Sequence, residues 1–314
     1  MQENAGYVHC IGYLTPQLCR LLGDVPDDIK RNAREIRLRA GRSVVIDTGG
    51  GLGFLRKQGG TTAEFGGDSY IITAGEVADA FKIICGYSIH SYADEIRQGF
   101  ITLKGGHRAG ICGTAVTENG RVTSAKDISS INIRIARNIP GIADQAVRHI
   151  YNAKGTLIAG IPASGKTTLL KGIISRFASG RGGYRRVAVI DTRGELGAAF
   201  CGEPQNDVGQ TADIFDGYPK GEGILMAIRT MSPDIIVIDE IGSREEADSI
   251  MECMNAGVSI IATVHAGTPQ ELSKRRHIMQ LVECGSFEKI IFLEGREHPC
   301  RIKKIMGAED LYAY

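Results

Sequence analysis

Two patterns of apolar positions divide this chain of 314 residues. In the first part, apolar residues alternate singly with polar ones. Residues 35–39 alternate charged with apolar residues and 130–135 polar with apolar ones, the mark of a strand with one buried face. Residues 43–46 form a further strand after a Gly-Arg turn. Stretches 99–103, 108–111 and 113–116 read as antiparallel strands, and Asn119-Gly120 is a strong hairpin turn. Residues 15–22 read as a helix with Thr15 as N-cap and Pro16 in the first position. Residues 27–33 read as another. Thr73-Ala-Gly-Glu76 fits a capping box that opens a helix to about Cys85. The glycine-rich stretch 49–67 reads as a loop or loose hairpin.

Pro140-Gly141 marks a break, and a helix over 142–151 follows. From Gly155 onward the apolar runs become continuous: 155–159, 186–190, 234–238 and 259–263, with 289–293 and 301–306 after them. Continuous runs are expected of parallel strands buried on both faces. Helical stretches separate them, including 168–177 and 244–256, and the span between 190 and 234 reads as helices. The expected fold class is therefore α/β, with a mainly parallel sheet over 146–314. A smaller α/β domain with antiparallel strands precedes it over 1–145.

Composition narrows the picture only a little. Hydrophobic residues make up 43% of the chain and charged residues 23%, enough apolar material for a real core in each domain. The formal net charge is +1, so no global field draws the chain to nucleic acid or membrane, although a local basic patch is compatible with it. Eight cysteines are scattered without a C-x-x-C pair, which reads as reduced thiols in a cytosolic protein rather than a zinc or redox motif. The start lacks the basic and apolar regions of a signal peptide, and no apolar stretch approaches the length of a membrane span. A cytoplasmic location is expected, with attachment to a membrane complex left open.

The candidate chemistry concentrates in the second domain. Gly160, Ile161, Pro162, Ala163, Ser164, Gly165, Lys166 and Thr167 fit the phosphate-loop pattern G-x-x-x-x-G-K-[ST] in full. A buried strand precedes them, and a helix beginning near Thr168 follows. The glycines let backbone N–H groups turn toward phosphates, and a helix N-terminus adds partial positive charge. Lys166 would reach the β- and γ-phosphates of ATP, and the Thr167 hydroxyl would ligand Mg²⁺. Some seventy residues on, the apolar run from Ile235 ends in Asp239-Glu240. Asp239 would hold Mg²⁺, directly or through water, and Glu240 is the candidate base that positions the attacking water.

Three further groups are candidates. Asp191 and Glu195 follow a strand end, where such sheets bind ligands. They either ligand Mg²⁺ or orient water, or they decorate a helix N-terminus that acids stabilise anyway. His265, just past the strand at 259–263, is placed to hydrogen-bond a γ-phosphate; the alternative is a solvated loop histidine. Arg229 suits either a contact to phosphate across a subunit boundary or an ordinary surface ion pair.

These elements together resemble the stage III sporulation AA family, ATPases of endospore-forming bacteria, and more distantly the ATPases of type II and type IV secretion. The matching stretches in the first domain are 35–42, 94–103, 105–108 and 129–135. In the second they are the phosphate loop, 190–195, 229–234 and 239–242. The resemblance implies a RecA-like ATPase core behind a smaller α/β domain, and a homo-oligomeric, hexameric ring. It also implies a role in the channel complex between mother cell and forespore, with an integral membrane component as partner. The acidic and histidine boxes of the secretion ATPases correspond to Asp191 with Glu195 and to His265. Arg97, Arg108, Arg134 and Arg137 are candidates for the first-domain arginines that reach phosphate. Two positions depart from the relatives: Ala163 where many loops have glycine, and Asp239 where secretion ATPases often place glycine before the catalytic Glu.

The competing reading is a nucleic-acid-dependent RecA-like ATPase. Near-zero net charge and the lack of a basic run or an aromatic stacking platform make nucleic acid the less favoured partner. A third reading is a binding module that uses ATP as a switch, against which the intact Glu240 argues.

Overall fold

A computed structural model describes residues 4–136, 141–181 and 183–314. The chain forms two compact units, Met1–Arg137 and Asn138–Tyr314. The expected boundary lay at 145/146; the helix Asp144–Ile150 belongs with the second unit.

The first unit is built on an antiparallel sheet. Its strands are β1 Glu35–Arg39, β2 Val45–Asp47, β3 Leu52–Leu55, β4 Thr61–Thr62, β5 Phe100–Leu103, β6 His107–Glu118 and β7 Arg121–Arg134, in the order β4-β3-β2-β1-β7-β6-β5. Ile36, Leu38, Ile46, Leu55, Ile101 and Ile133 point to one face and are fully buried. That face is covered by helices α1 Ala5–Ile11, α2 Pro16–Gly23, α3 Asp27–Asn32, α4 Ala74–Ile84 and α5 Ala93–Gln98. The helix starts follow their sequence signals. Thr15 accepts from Leu18 N, and the Thr73–Glu76 capping box closes in both directions.

Three features differ from expectation. The stretches 108–111 and 113–116 are one strand, β6, whose register shifts between Cys112 and Thr114. A Cβ at Gly113 would lie 2.6 Å from the Lys126 carbonyl oxygen, so the irregularity needs glycine. β7 begins nine residues before the expected 130, because the outer part of this ribbon is largely exposed and has no buried face to impose alternation. Helices α1 and α5 were not anticipated; α1 has no side-chain cap bond, and its buried residues are only Tyr7, Cys10 and Ile11.

His107 is a buried histidine of this unit. It is 3% exposed, and its Nδ1 accepts from Ala136 N at 2.9 Å. Burial first, and the charge of neighbouring His9 second, push its pKa down from 6.5 to about 4. The folded pKa lies below the unfolded one, so this contribution is fully present above pH 6.5. It is lost as pH falls toward 4, by up to about 3 kcal/mol.

In the second unit, helices flank both faces of a mainly parallel sheet. The strands are β8 Gly155–Ala159, β9 Val187–Asp191, β10 Ala212–Asp216, β11 Ile235–Ile238, β12 Ser259–Val264, β13 Lys289–Leu293 and β14 Ile302–Gly307. Their order is β10-β9-β11-β12-β8-β13-β14, and the pairing of β14 with β13 is antiparallel. The helices are α6 Asp144–Ile150, α7 Lys166–Phe177, α8 Lys220–Met231, α9 Arg244–Asn255, α10 Pro269–Ser273 and α11 Arg276–Glu283. Successive strand residues serve opposite faces. Leu157, Ile236, Ile238 and Ile260 pack with α8, α9 and α11, whereas Ile158, Val237 and Ile261 pack with α6 and α7. β10 replaces part of the expected helical span. It is an edge strand in which only Phe215 is buried, so it shows no continuous apolar run.

The register decides where the chemistry goes. Ile238 pairs with Ala262 and with Ile190, and Val264 pairs with Ala159. The carboxyl ends of β9, β11, β12 and β8 therefore lie along one edge of the sheet. β8 is seated so closely that a Cβ on Gly155 would come within 2.0 Å of the Ser286 carbonyl oxygen.

Two outcomes are expected. Thermal melts from pH 7 to pH 4 should show a steeper acid loss in the wild type than in His107→Gln; parallel profiles would mean that His107 is not the titrating group. Gly155→Ala should cost about 1–3 kcal/mol and lower the melting midpoint by about 3–10 °C. An unchanged midpoint would show that β8 is not seated against Ser286.

Candidate active site

The phosphate loop follows β8 and ends at the N-terminus of α7. Gly165, at φ +89°, is the N-cap of α7 and offers no capping side chain. The first N–H groups of a twelve-residue helix thus meet no side-chain acceptor, which makes an anion site. Ala163 lies at φ +64°, in the left-handed region that favours glycine. This is the position where many related loops carry glycine, and the alanine is accommodated with strain. Ser164 is fully buried, and its Oγ has no hydrogen-bond partner among the described residues.

Lys166 is only 8% exposed. Its Nζ donates to the carbonyls of Gly160 at 2.9 Å and Ile161 at 3.1 Å, and it lies 3.0 Å from His265 Nδ1. Burial lowers its pKa, while the charges of Asp239 and Glu240 oppose that shift. An ammonium has donors only. His265 Nδ1 must therefore accept, which places the imidazole proton on Nε2. That atom lies 3.3 Å from Glu240 Oε1, within ion-pair range. His265 thus links the loop lysine to the candidate base.

Asp239 joins two elements. Its Oδ2 accepts from Thr167 Oγ1 at 2.9 Å, and its Oδ1 accepts from Thr263 Oγ1 at 2.6 Å. The Thr263 hydroxyl also accepts from Glu240 N at 2.8 Å. Glu240 sits at φ +51°, an uncommon conformation for a residue with a side chain. Its carboxylate is approached by Arg193 Nη1 at 3.5 Å on the side away from His265. Its carbonyl accepts from Lys220 Nζ, which also pairs with Glu246 at 3.1 Å.

Asp191 has a different task from the metal-ligand role expected of it. It is 2% exposed, and its carboxylate accepts from the N–H groups of Glu195 at 2.7 Å, Leu196 at 3.0 Å and Gly197 at 2.8 Å. Three of the roughly four lone-pair sites of a carboxylate are taken by this turn. The alternative also fails: a turn, not a helix, follows Asp191. Glu195 lines one small cleft with Asp191, Arg193, Lys220, Asp239 and Glu240.

The arginines are more dispersed. Arg229 is exposed on the last turn of α8. It lies nine residues, or about 13 Å along the helix, from Lys220. Within its own chain it is therefore remote from the loop. In the first unit, Arg97 pairs with Asp94, Arg134 pairs with Glu35, and Arg108 lies over the Phe100 ring. Arg137 lies outside the described residues.

Sequence reasoning assigned no role to Thr263, Lys220, Arg193, Arg296 or Cys300. Thr263 and Arg193 stood inside the strings already singled out, but only the spatial pairing of β11 with β12 gives Thr263 its role. The β13–β14 connection carries no recognisable motif, yet it forms the floor of the loop. Arg296 Nε donates to Pro162 O at 3.1 Å, and Cys300 N donates to Ser164 O at 2.8 Å. A Cβ on Gly165 would meet Cys300 Sγ at 2.5 Å.

The donor set fits Mg²⁺ with a nucleotide. Among the described residues there is no cluster of three or more His, Cys, Asp or Glu side chains able to hold a metal. Mg²⁺ ordinarily uses one or two carboxylates and completes its shell with water and phosphate. Thr167 and Asp239 supply such a set.

The profile described as "Sporulation stage III, protein AA" matches residues 9–310. The chain belongs to this family. It is 34% identical over 291 residues to Stage III sporulation protein AA of Bacillus subtilis (strain 168), covering 90% of each chain. Among solved structures, it is similar to the pilus retraction motor PilT with bound ADP, at a TM-score of 0.57 and 15% identity over 83% of this chain and 74% of that one. It is also similar to the Legionella pneumophila ATPase DotB, at a TM-score of 0.51 and 15% identity over 83% and 72%. These likenesses show the fold. This chain shares the α/β fold of those two proteins. Among its described residues, no helix is long and apolar enough to cross a membrane.

Thr263→Val should cost about 1–3 kcal/mol in denaturant unfolding, because it strips a hydrogen bond from Asp239 and another from Glu240 N. Thr263→Ser should recover most of that loss. Equal midpoints for wild type and the valine variant would refute the bridging role.

Proposed function

We propose that this family member binds Mg²⁺–ATP at the phosphate loop and hydrolyses it. The observation that carries the reading is the chain of close approaches from Lys166 to His265 at 3.0 Å and from His265 to Glu240 at 3.3 Å, set beside the Thr167–Asp239 pair. The loop amides and the α7 N-terminus would hold phosphate, with the Gly160–Thr168 stretch forming the cradle. Thr167 and Asp239 would hold Mg²⁺, which supplies positive charge to the β- and γ-phosphate oxygens. Glu240 would orient the attacking water. His265 keeps Glu240 aimed and would exchange its Lys166 contact for phosphate when nucleotide arrives. Glu195, in the same cleft, is the second carboxylate available to that water, and Asp191 shapes the turn that carries it.

Family membership supports a reading of the biological setting. The chain would act as a motor of the secretion-ATPase kind, driving a channel complex between mother cell and forespore. It would work as a homo-oligomeric ring, hexameric as in its relatives, on the cytoplasmic side of an integral membrane partner. Arg229, exposed and distant from its own loop, would serve a neighbouring subunit's site.

Three measurements test this. Lys166→Ala should abolish ATP binding by titration calorimetry, and wild-type affinity in that variant would move the site elsewhere. Glu240→Gln should retain Mg²⁺–ATP while turnover falls at least about a hundredfold, since water activation is lost; undiminished turnover would assign the base to another residue. Light-scattering mass should rise with Mg²⁺–ATP, most clearly in Glu240→Gln. A monomer under every condition would remove the ring motor and leave the nucleotide site standing.

A further inference from the structure

The edge of the second-unit sheet opposite the phosphate loop carries a concentration of arginine that a net charge of +1 conceals. The C-terminal ends of α6 and α7 meet there, and the chain between α7 and β9 reads Arg181-Gly-Gly-Tyr184-Arg185-Arg186. A cleft of about 510 Å³ is lined by Asp144, Val147, Arg148, Tyr151, Arg176 and Arg181. Arg185 closes one side, its guanidinium 4.2 Å from the centre of the Tyr151 ring, and that ring stacks in turn on Phe177 at 5.6 Å and 12°. Arg176 is answered by Asp144 at 3.1 Å and Arg186 by Asp234 at 2.7 Å. Asp207, held by Ser175 Oγ, is a further acid on this side. Arg148 and Arg181 are exposed and make no ion pair among the described residues. Tyr184 is 74% exposed.

We propose that this cleft binds single-stranded nucleic acid. Arginine, rather than lysine, surrounds it, and guanidinium groups pair with phosphate oxygens through two parallel bonds and stack on bases. Arg185 is already oriented by its stack on Tyr151, so its N–H edge is presented without a further ordering cost. Tyr184 offers a free ring beside three arginines, the aromatic-plus-cation combination that holds unpaired bases without reading their sequence. The site is concave, and the exposed Tyr184 stands in the chain between Arg181, which lines it, and Arg185, a combination that suits a strand better than a flat lipid surface. An acidic peptide would satisfy the charges but leave Tyr184 and the stacked guanidinium without use. α7 separates the cleft from the phosphate loop: Arg176 is ten residues, or about 15 Å, from Lys166. The two sites are therefore compatible with simultaneous occupancy, and the inference does not depend on ATP hydrolysis.

The test is fluorescence anisotropy with a labelled twelve-residue oligothymidylate and an oligouridylate of the same length. The full chain is compared with Arg148→Glu/Arg181→Glu, Tyr184→Ala and Lys166→Ala, each checked for a wild-type thermal midpoint. If three phosphates are contacted, affinity should fall about twentyfold between 50 and 200 mM KCl. The double charge reversal should weaken binding at least tenfold and flatten that salt dependence. Tyr184→Ala should weaken it about fivefold or more while leaving the salt slope in place. Lys166→Ala should bind as wild type. Binding that is absent, or equal in the charge-reversed protein, overturns the proposal. So does binding lost in Lys166→Ala, which would mean that the oligonucleotide occupies the phosphate loop. Poly-glutamate, or vesicles with anionic headgroups, bound in preference to both oligonucleotides would also overturn it and reassign the cleft to a peptide or lipid. Should the double variant prove unstable, Arg181→Glu alone, at an exposed position, carries the same comparison.

Discussion

Asp239 is the residue on which the arrangement depends. One carboxylate oxygen is held by a hydroxyl from α7 and the other by a hydroxyl from β12, while the residue itself directly follows β11. Three elements distant in sequence are fixed against one charged group. The charge is half-buried, so its cost is met only if both oxygens keep their partners. The strand register makes this possible. With Ile238 beside Ala262, and Val264 beside Ala159, the strand ends align without any need for the side chains to reach. Deprived of that alignment, the same residues would be a set of unrelated surface groups.

Strain is concentrated along this edge. Ala163 and Glu240 both hold positive φ without being glycine. Each costs on the order of 1–2 kcal/mol in isolation. Both are held from several sides: Ala163 by the loop, whose carbonyls bind Arg296, Cys300 and Lys166, and Glu240 by Thr263 at its amide, Lys220 at its carbonyl and His265 at its carboxylate. Such over-determination is common where a side chain must be aimed rather than merely accommodated. It is also why Lys220 matters despite lying in no recognised motif.

Much of this was legible in the chain. The continuous apolar runs gave the buried parallel strands. The capping signals at Thr15 and Thr73 gave the helix starts, because those depend on neighbours in sequence. The loop and Asp239-Glu240 were legible for the same reason: each is a local string whose chemistry is carried by adjacent residues. What escaped depended on contacts between distant segments. β10 is an edge strand with little buried surface, and the outer ribbon of β6 and β7 has scarcely any, so neither leaves a hydrophobic signature. Asp191 looked like a ligand because its carboxylate was visible, while the three amides that occupy it were not. Thr263 looked like any β-branched strand residue. The arginines near 181–186 cancelled against acids elsewhere in the net charge, and only folding separates them in space.

The segment between β13 and β14 has a consequence for where the piece of the chain that shapes the phosphate loop ends. Arg296 and Cys300 hold the carbonyls of Pro162 and Ser164, and Cys300 stands against Gly165. The phosphate motif closes at Thr167, and its strands and carboxylates are complete by His265. The loop nevertheless rests on residues some 135 positions downstream of it. The smallest autonomous unit is thus set by the loop's floor and not by its signature. A chain shortened before residue 300 would retain every recognisable motif and lose the surface that gives the first of them its shape.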